Sequence, residues 1–287
     1  MKTIESYLVL IFSLVMSVNI SAQESLSTQE KFDKVWAVGT LYDNENNSVF
    51  KKISFTGRFQ TDFVKVSGEI DSDTQSPTDR DVGFTDLTVR RLRAGFKFEF
   101  FKNIVVHSEA DFDPQREDYY KRLTDTYIAW VPSREFKLTL GKHGMPFTLD
   151  GSTSSKSLLT IDRNALTNNL WFPTEYLPGI STSGQLKNWR YHVGVYSMDS
   201  NAEEFGDLDI GRGYIASLGY DFSTVLGMDE ALLKFDYVYN EPREDNSFTR
   251  QLENVASINF RLAKGKVGLR GDVALARGYN DQSNIWG

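Results

Sequence analysis

Cysteine is absent from all 287 positions. That excludes a disulfide framework, a thiolate metal site and a lipid-modified N-terminal cysteine. Histidine is scarce, with three residues, His107, His143 and His192. They fall in separate segments without ligand spacing, which points to hydrogen bonding and to no metal site. A basic excess is also missing: the formal charge is −7, which argues against nucleic-acid binding. No Gly-x-Ser-x-Gly element and no Gly-rich phosphate loop occurs. Ser154 and Ser155 lie in a loop rather than at a nucleophile elbow. The sequence therefore predicts no enzyme and no cofactor. After the N-terminus, no run approaches the ~18 apolar residues of a spanning helix.

One apolar run does occur at the start. Lys2 precedes Tyr7 to Val18, about a dozen residues, and Ile20-Ser21-Ala22 offers a cut before Gln23. This pattern predicts a secretory signal peptide over 1–22. Residues 23–51 are polar, with Phe32, Val35, Trp36 and Leu41 interspersed and a turn signal at Asn44 to Asn47. They read as a periplasmic lead-in that could hold one helical turn or a short strand.

From Lys52 onward the apolar residues recur every second position. The stretch Leu87 to Phe112 shows it best. Leu92, Ala94, Phe96, Phe98 and Phe100 alternate with Arg91, Arg93, Gly95, Lys97 and Glu99. After Phe101-Lys102-Asn103, Ile104, Val106, Ala110 and Phe112 alternate with His107, Glu109 and Asp111. A strand sends alternate side chains to opposite faces, so this is a hairpin with one apolar and one charged face. A soluble sandwich turns its apolar face inward; an outer-membrane barrel turns it outward. About eleven such strands follow one another, each of about nine to twelve residues, and the connections alternate long and short. Long external loops, short periplasmic turns and strands of this length belong to membrane barrels. Sandwich strands are shorter, without that strict loop alternation. The 20 Phe, 13 Tyr and 5 Trp suit interfacial girdles. The predicted fold is therefore all-β, an antiparallel transmembrane β-barrel over 52–287. An odd strand number cannot close a single-chain bacterial barrel, and Asn284-Ile285-Trp286-Gly287 reads as an external loop. The expectation is a C-terminally truncated piece of a larger barrel, with further strands encoded beyond Gly287.

Residues 144–178 lose the two-residue period, although Leu158, Leu159, Leu166, Trp171 and Phe172 show that the segment packs on something. Ser152 to Leu166 could hold a turn or two of helix. Loops this long are usually functional or disordered.

The chain resembles the phosphate-selective porin family of the O and P type. The resemblance runs through GRFQTD (57–62), VRRLRAGFKFEFF (89–101), SEADFD (108–113), TDTYIAW (124–130), LTLGKHGMPF (138–147), STSSKSLLTIDRNAL (152–166) and the later LPGISTSG. It implies a porin barrel of sixteen strands in the bacterial outer membrane, usually a homotrimer. It also implies a third external loop folded into the lumen, which matches 144–178 as the constriction loop. The implied activity is passive diffusion of small anions such as phosphate. The alternative is a structural or partner-binding barrel with a plugged lumen; a soluble sugar-binding sandwich is a third reading.

A pore selects by charge and width. The candidate anion ladder is Arg58, Arg91, Arg93, Lys97, Lys137, Arg261 and Arg270, with Arg190 and Lys234 on the same wall. Arginine suits phosphate because its planar fork donates two parallel hydrogen bonds. Against this, each cation could be spent on Asp62, Glu99, Glu109, Asp111, Asp125, Asp236 or Asp272. The constriction loop offers Lys156, Asp162, Arg163 and Glu175. Glu175 stands where the family commonly has an arginine, which favours general small-anion passage over strict phosphate selectivity.

Overall fold

The computed structural model describes residues 37–69, 81–154, 158, 160, 163–164, 167, 176–199, 202–241, 252–278 and 285–286. The signal peptide expected over 1–22 lies outside the described residues, as do residues 23–36 of the lead-in. The chain divides into two units, Met1–Gly39 and Thr40–Gly287. Only residues 37–39 of the first are described.

The second unit is one antiparallel sheet whose strands pair strictly in chain order. They are β1 (Thr40–Asp43), β2 (Phe50–Glu69), β3 (Asp81–Phe100), β4 (Ile104–Phe112), β5 (Tyr120–Ser133), β6 (Phe136–Gly144), β7 (Tyr176–Leu186), β8 (Trp189–Ser197), β9 (Arg212–Asp221), β10 (Glu230–Asn240), β11 (Leu252–Lys264), β12 (Val267–Gly278) and β13 (Ile285–Trp286). One short helix, α1 (Ser223–Leu226), lies between β9 and β10. The expected strands correspond to β2 through β12. The sheet adds β1, inside the lead-in, and β13, where an external loop was expected: Ile285 and Trp286 pair with Ala276 and Leu275. β3 also begins earlier than its polar sequence suggests. Glu69↔Asp81 through Val64↔Asp86 continue the ladder, so cross-strand pairing carries the strand through Asp81-Val82-Gly83, a sequence that by itself favours a turn.

The turns at 44–49, 101–103, 134–135, 187–188, 222–229 and 265–266 all lie at one end of the sheet, and the long connections lie at the other. Burial along β9 shows which face is covered. Gly213, Ile215, Ser217 and Gly219 are buried, while Tyr214, Ala216 and Leu218 are exposed. The apolar face of the sheet is the uncovered one. Phe59, Phe63 and Leu140 are each more than 60% exposed, whereas Asp236 and Asn240 are 0% and Asn259 2% exposed. A water-soluble sandwich requires the reverse.

Two irregularities redirect side chains. Gln60 pairs with Arg91 and Thr61 with Val89, which leaves Arg90 as a bulged residue. Strict alternation places Arg90 on the apolar face. Instead its Nη1 donates to Asp62 Oδ2 at 2.9 Å, because a bulge breaks the two-residue period locally. A second register shift sets Thr124 and Asp125 opposite Glu109, and Thr124 Oγ1 lies 3.2 Å from Glu109 Oε1. Gly141 has φ +126, and a Cβ there would sit 2.5 Å from the Thr126 carbonyl oxygen. Only glycine fits this close approach.

An apolar cluster sits on the covered face at the long-loop end. Ile215, Val238, Val255, Ala274 and Ala276 line it, and Met145 and Phe147, from the segment after β6, fill it. The third long connection thus begins by folding onto the polar face.

Candidate pore lining

Because antiparallel partners share a face, the register places every ladder candidate. Arg58 stands opposite Arg93, and Lys97 opposite Ser54 on one side and His107 on the other. Lys137 pairs with Ser183, and Arg261 stands opposite Arg270. All lie on the covered face, as do Arg190 and Lys234. Their partners separate them into groups.

Arg93 is sequestered. Nη1 donates to the Tyr176 hydroxyl at 2.6 Å, Nη2 reaches Asp111 Oδ2 at 3.4 Å, and Cζ lies 5.2 Å from the Tyr176 ring centre. The Arg93 and Asp111 side chains are each 5% exposed. Arg93 therefore ties the start of β7, where the long segment ends, to β3 and β4. Lys97 pairs with Glu99 at 3.1 Å, Arg190 with Asp221 at 2.7 Å, and Lys234 with Asp236 at 3.0 Å. Lys137 Nζ lies 5.3 Å from the centre of the Tyr127 ring.

Arg91 differs: Nη1 donates to the neutral Gln60 Oε1 at 2.9 Å. Among the described residues no carboxylate pairs with it. Arg90, Arg93, Arg163 and Arg58 all lie within its electrostatic reach. β2, β3 and the long segment thus gather guanidinium groups in one region.

Arg261 serves the loop. Nη2 donates to Thr153 Oγ1 at 3.0 Å, with the Leu149 carbonyl at 3.5 Å. Next to it, Asp272 Oδ2 accepts the Leu149 amide at 2.8 Å, and Oδ1 accepts from Ser257 Oγ. Arg163 closes the fold of the loop on itself, donating to the carbonyls of Asp150 at 3.0 Å and Thr153 at 2.8 Å. Asn164 N donates to Asp150 Oδ2. Lys156, Asp162 and Glu175 lie outside the described residues, as does most of the possible helical turn at Ser152 to Leu166.

The three histidines join a row of rings across β4 to β8. His107 packs edge-on against Tyr127. His143 Nδ1 faces the Gly141 carbonyl at 2.9 Å, so that nitrogen carries the proton and Nε2 accepts. Ser181 Oγ and Tyr196 Oη lie 2.8 and 3.1 Å from Nε2, and His192 Nε2 is 3.2 Å from the same Tyr196 hydroxyl. Outside the strands, hydrogen bonding to Ser133 and to its own backbone amide holds the Glu135 carboxyl below the usual carboxylate range. That turn therefore carries a charged acid at the short-turn mouth.

Sequence reading missed Arg90, Arg122 and Tyr176. The Arg90-Arg91 doublet was visible, but a bulge has no signature in a two-residue period. Arg122, whose Nε lies 4.0 Å from Asp111 Oδ2, sits in a stretch that reads as loop. Tyr176 becomes a partner only through folding.

No curated protein matches the chain. The sheet has its apolar face uncovered, its polar face lined with cations, and a long segment folded onto that polar face. The family model of the phosphate-selective porins O and P matches residues 56–274, and the chain belongs to that family of outer-membrane β-barrel porins.

Proposed function

We propose that this protein is a water-filled pore for passive diffusion of small anions, phosphate among them, across the outer membrane. The observation that carries this is the arginine cluster around Arg91. Arg58 and Arg93 stand directly opposite each other, and Arg90 and Arg163 join them. Like charges directly opposite on a sheet are destabilising. Asp111 offsets Arg93, whereas Arg91 has no carboxylate partner among the described residues, which leaves its charge for passing anions. Guanidinium groups also match the phosphate oxygens in geometry. Export through a signal peptide at 1–22 and assembly as a homotrimer belong to the same proposal.

A second reading is a plugged structural or partner-binding barrel. It is favoured by the loop anchoring, in which Arg261 and Asp272 hold Leu149 and Thr153 and Met145 and Phe147 fill the apolar cluster.

The deciding experiment is the zero-current potential of the full-length protein in a planar bilayer under a salt gradient, repeated with phosphate. An anion-selective pore whose preference falls in Arg91→Ala supports the proposal. A cation-selective pore overturns the anion assignment. Absence of conductance overturns the pore and leaves the plugged barrel.

A further inference from the structure

The connection between β9 and β10 is the longest at its end of the sheet. The turns at 101–103, 134–135, 187–188 and 265–266 take two or three residues and the one at 44–49 takes six, whereas this one runs over eight, from Phe222 to Asp229. The extra residues build α1, and α1 is held in place. Asp221 Oδ1 accepts the Ser223 amide at 3.0 Å, Ser223 Oγ accepts the Ala231 amide at 2.8 Å, and Gly227 at φ 60 and ψ 39 terminates the turn. Yet α1 buries none of its residues. Val225 is 72% and Leu226 55% exposed, so the turn adds nothing to a core of this chain.

It does build a ledge against the uncovered apolar face. Trp189, Leu218, Tyr220, Val225, Leu233 and Phe235 line an open, shallow alcove of about 570 Å³ there. Leu218 and Phe235 are direct cross-strand partners, as are Tyr220 and Leu233, and Trp189 and Tyr220. The Trp189 and Tyr220 rings meet edge-on at 4.8 Å. The volume falls in the range of small-molecule sites.

We propose that this alcove holds one acyl chain of a phospholipid. The inference rests on the membrane-barrel reading above. On that reading the uncovered face meets hydrocarbon, and the short turns lie on the periplasmic side. Trp and Tyr collect where hydrocarbon meets head groups, which is where Trp189 and Tyr220 stand. The occupant is therefore a chain from the inner leaflet. A peptide fits poorly, because β8, β9 and β10 are each paired on both sides and offer no ladder edge to a peptide backbone. An acyl chain needs no hydrogen bonds.

The test uses full-length protein purified in detergent from outer membranes. Native mass spectrometry reads the phospholipid retained per chain. The expected result is one phospholipid on the wild type and a fall in occupancy of at least about tenfold in Val225→Ser/Leu226→Ser. Those two side chains are exposed and lie outside the sheet, so the ladder is left intact. A second measurement uses the absence of native cysteine. A fluorophore on Val225→Cys should be quenched by phospholipid with brominated chains, saturating near one lipid per chain. Equal retention in both proteins, or quenching that rises without saturating, overturns the proposal. So does an oxidised Val225→Cys homodimer, which would assign the alcove to a second copy. If the protein reaches the outer membrane and conducts but keeps no lipid, only the lipid site falls. If it never sediments with outer membranes, the porin reading falls first.

Discussion

Arg58 on β2 and Arg93 on β3 face each other directly across the ladder, and Arg93 is unsuited to probing selectivity. Arg93 is buried against Asp111 and Tyr176. Removing it leaves the buried Asp111 carboxylate with only the Arg122 guanidinium, at 4.0 Å, beside it, so Arg93→Ala is expected to cost about 3 kcal/mol of stability. The readout is the urea midpoint of the detergent-solubilised protein, followed by heat-modifiable electrophoretic mobility. A midpoint equal to wild type would show that the Asp111 contact carries no weight.

Arg91 is the cleaner probe. Its hydrogen bond to Gln60 is with a neutral group, so Arg91→Ala is expected to cost only about 1 kcal/mol. The anion-to-cation permeability ratio should fall about two- to threefold, because one charge leaves a cluster that acts through its summed field. Zero-current potentials at two salt concentrations check this, and the effect should shrink at high salt.

The loop anchor predicts a conductance phenotype. Asp272→Ala leaves the Leu149 amide without its acceptor, an expected cost of about 2 kcal/mol localised to the loop seat. Single-channel records should show more open-state current noise, while ion selectivity stays that of the wild type. A change in selectivity with quiet current would place Asp272 in the ion path instead.

Gly141→Ala introduces a Cβ 2.5 Å from a carbonyl oxygen at a backbone φ of +126. The expected loss is about 2 kcal/mol, seen as a lower unfolding midpoint. The Tyr127 ring packs beside this position against His143, so near-ultraviolet circular dichroism should change with it.

Lys142 shares the face of Leu140 in the register, yet it is 1% exposed. Its ammonium donates to the carbonyls of Ala202 and Glu204 from the β8–β9 connection. Glu203 of the same connection accepts from the Leu123 amide at 2.7 Å and pairs with Arg116. Lys142→Met should release this clasp at a cost of about 2 kcal/mol. Limited proteolysis of intact cells should then cut between Ser200 and Gly211 several-fold faster than in the wild type.

The sequence by itself determined where β2 through β12 run, apart from the early start of β3, which residues share a face, and the alternation of long and short connections. A two-residue period and turn chemistry are local properties, written wherever they act. It also marked 144–178 as the odd segment, because that stretch breaks the period while keeping its apolar residues. Only the tertiary structure decided the rest. Arg90 joined Arg91 because register with β2 forced a bulge. β3 extended to Asp81 because Glu69 offered a partner. Arg261 went to the loop rather than to the ladder because Leu149 and Thr153 arrived beside it from more than a hundred residues away in the chain. Partnership of this kind depends on distances that no local pattern encodes. Whether a cation on the covered face is tethered like Arg93 or bonded only to a neutral amide like Arg91 is settled by what the folded chain brings within reach.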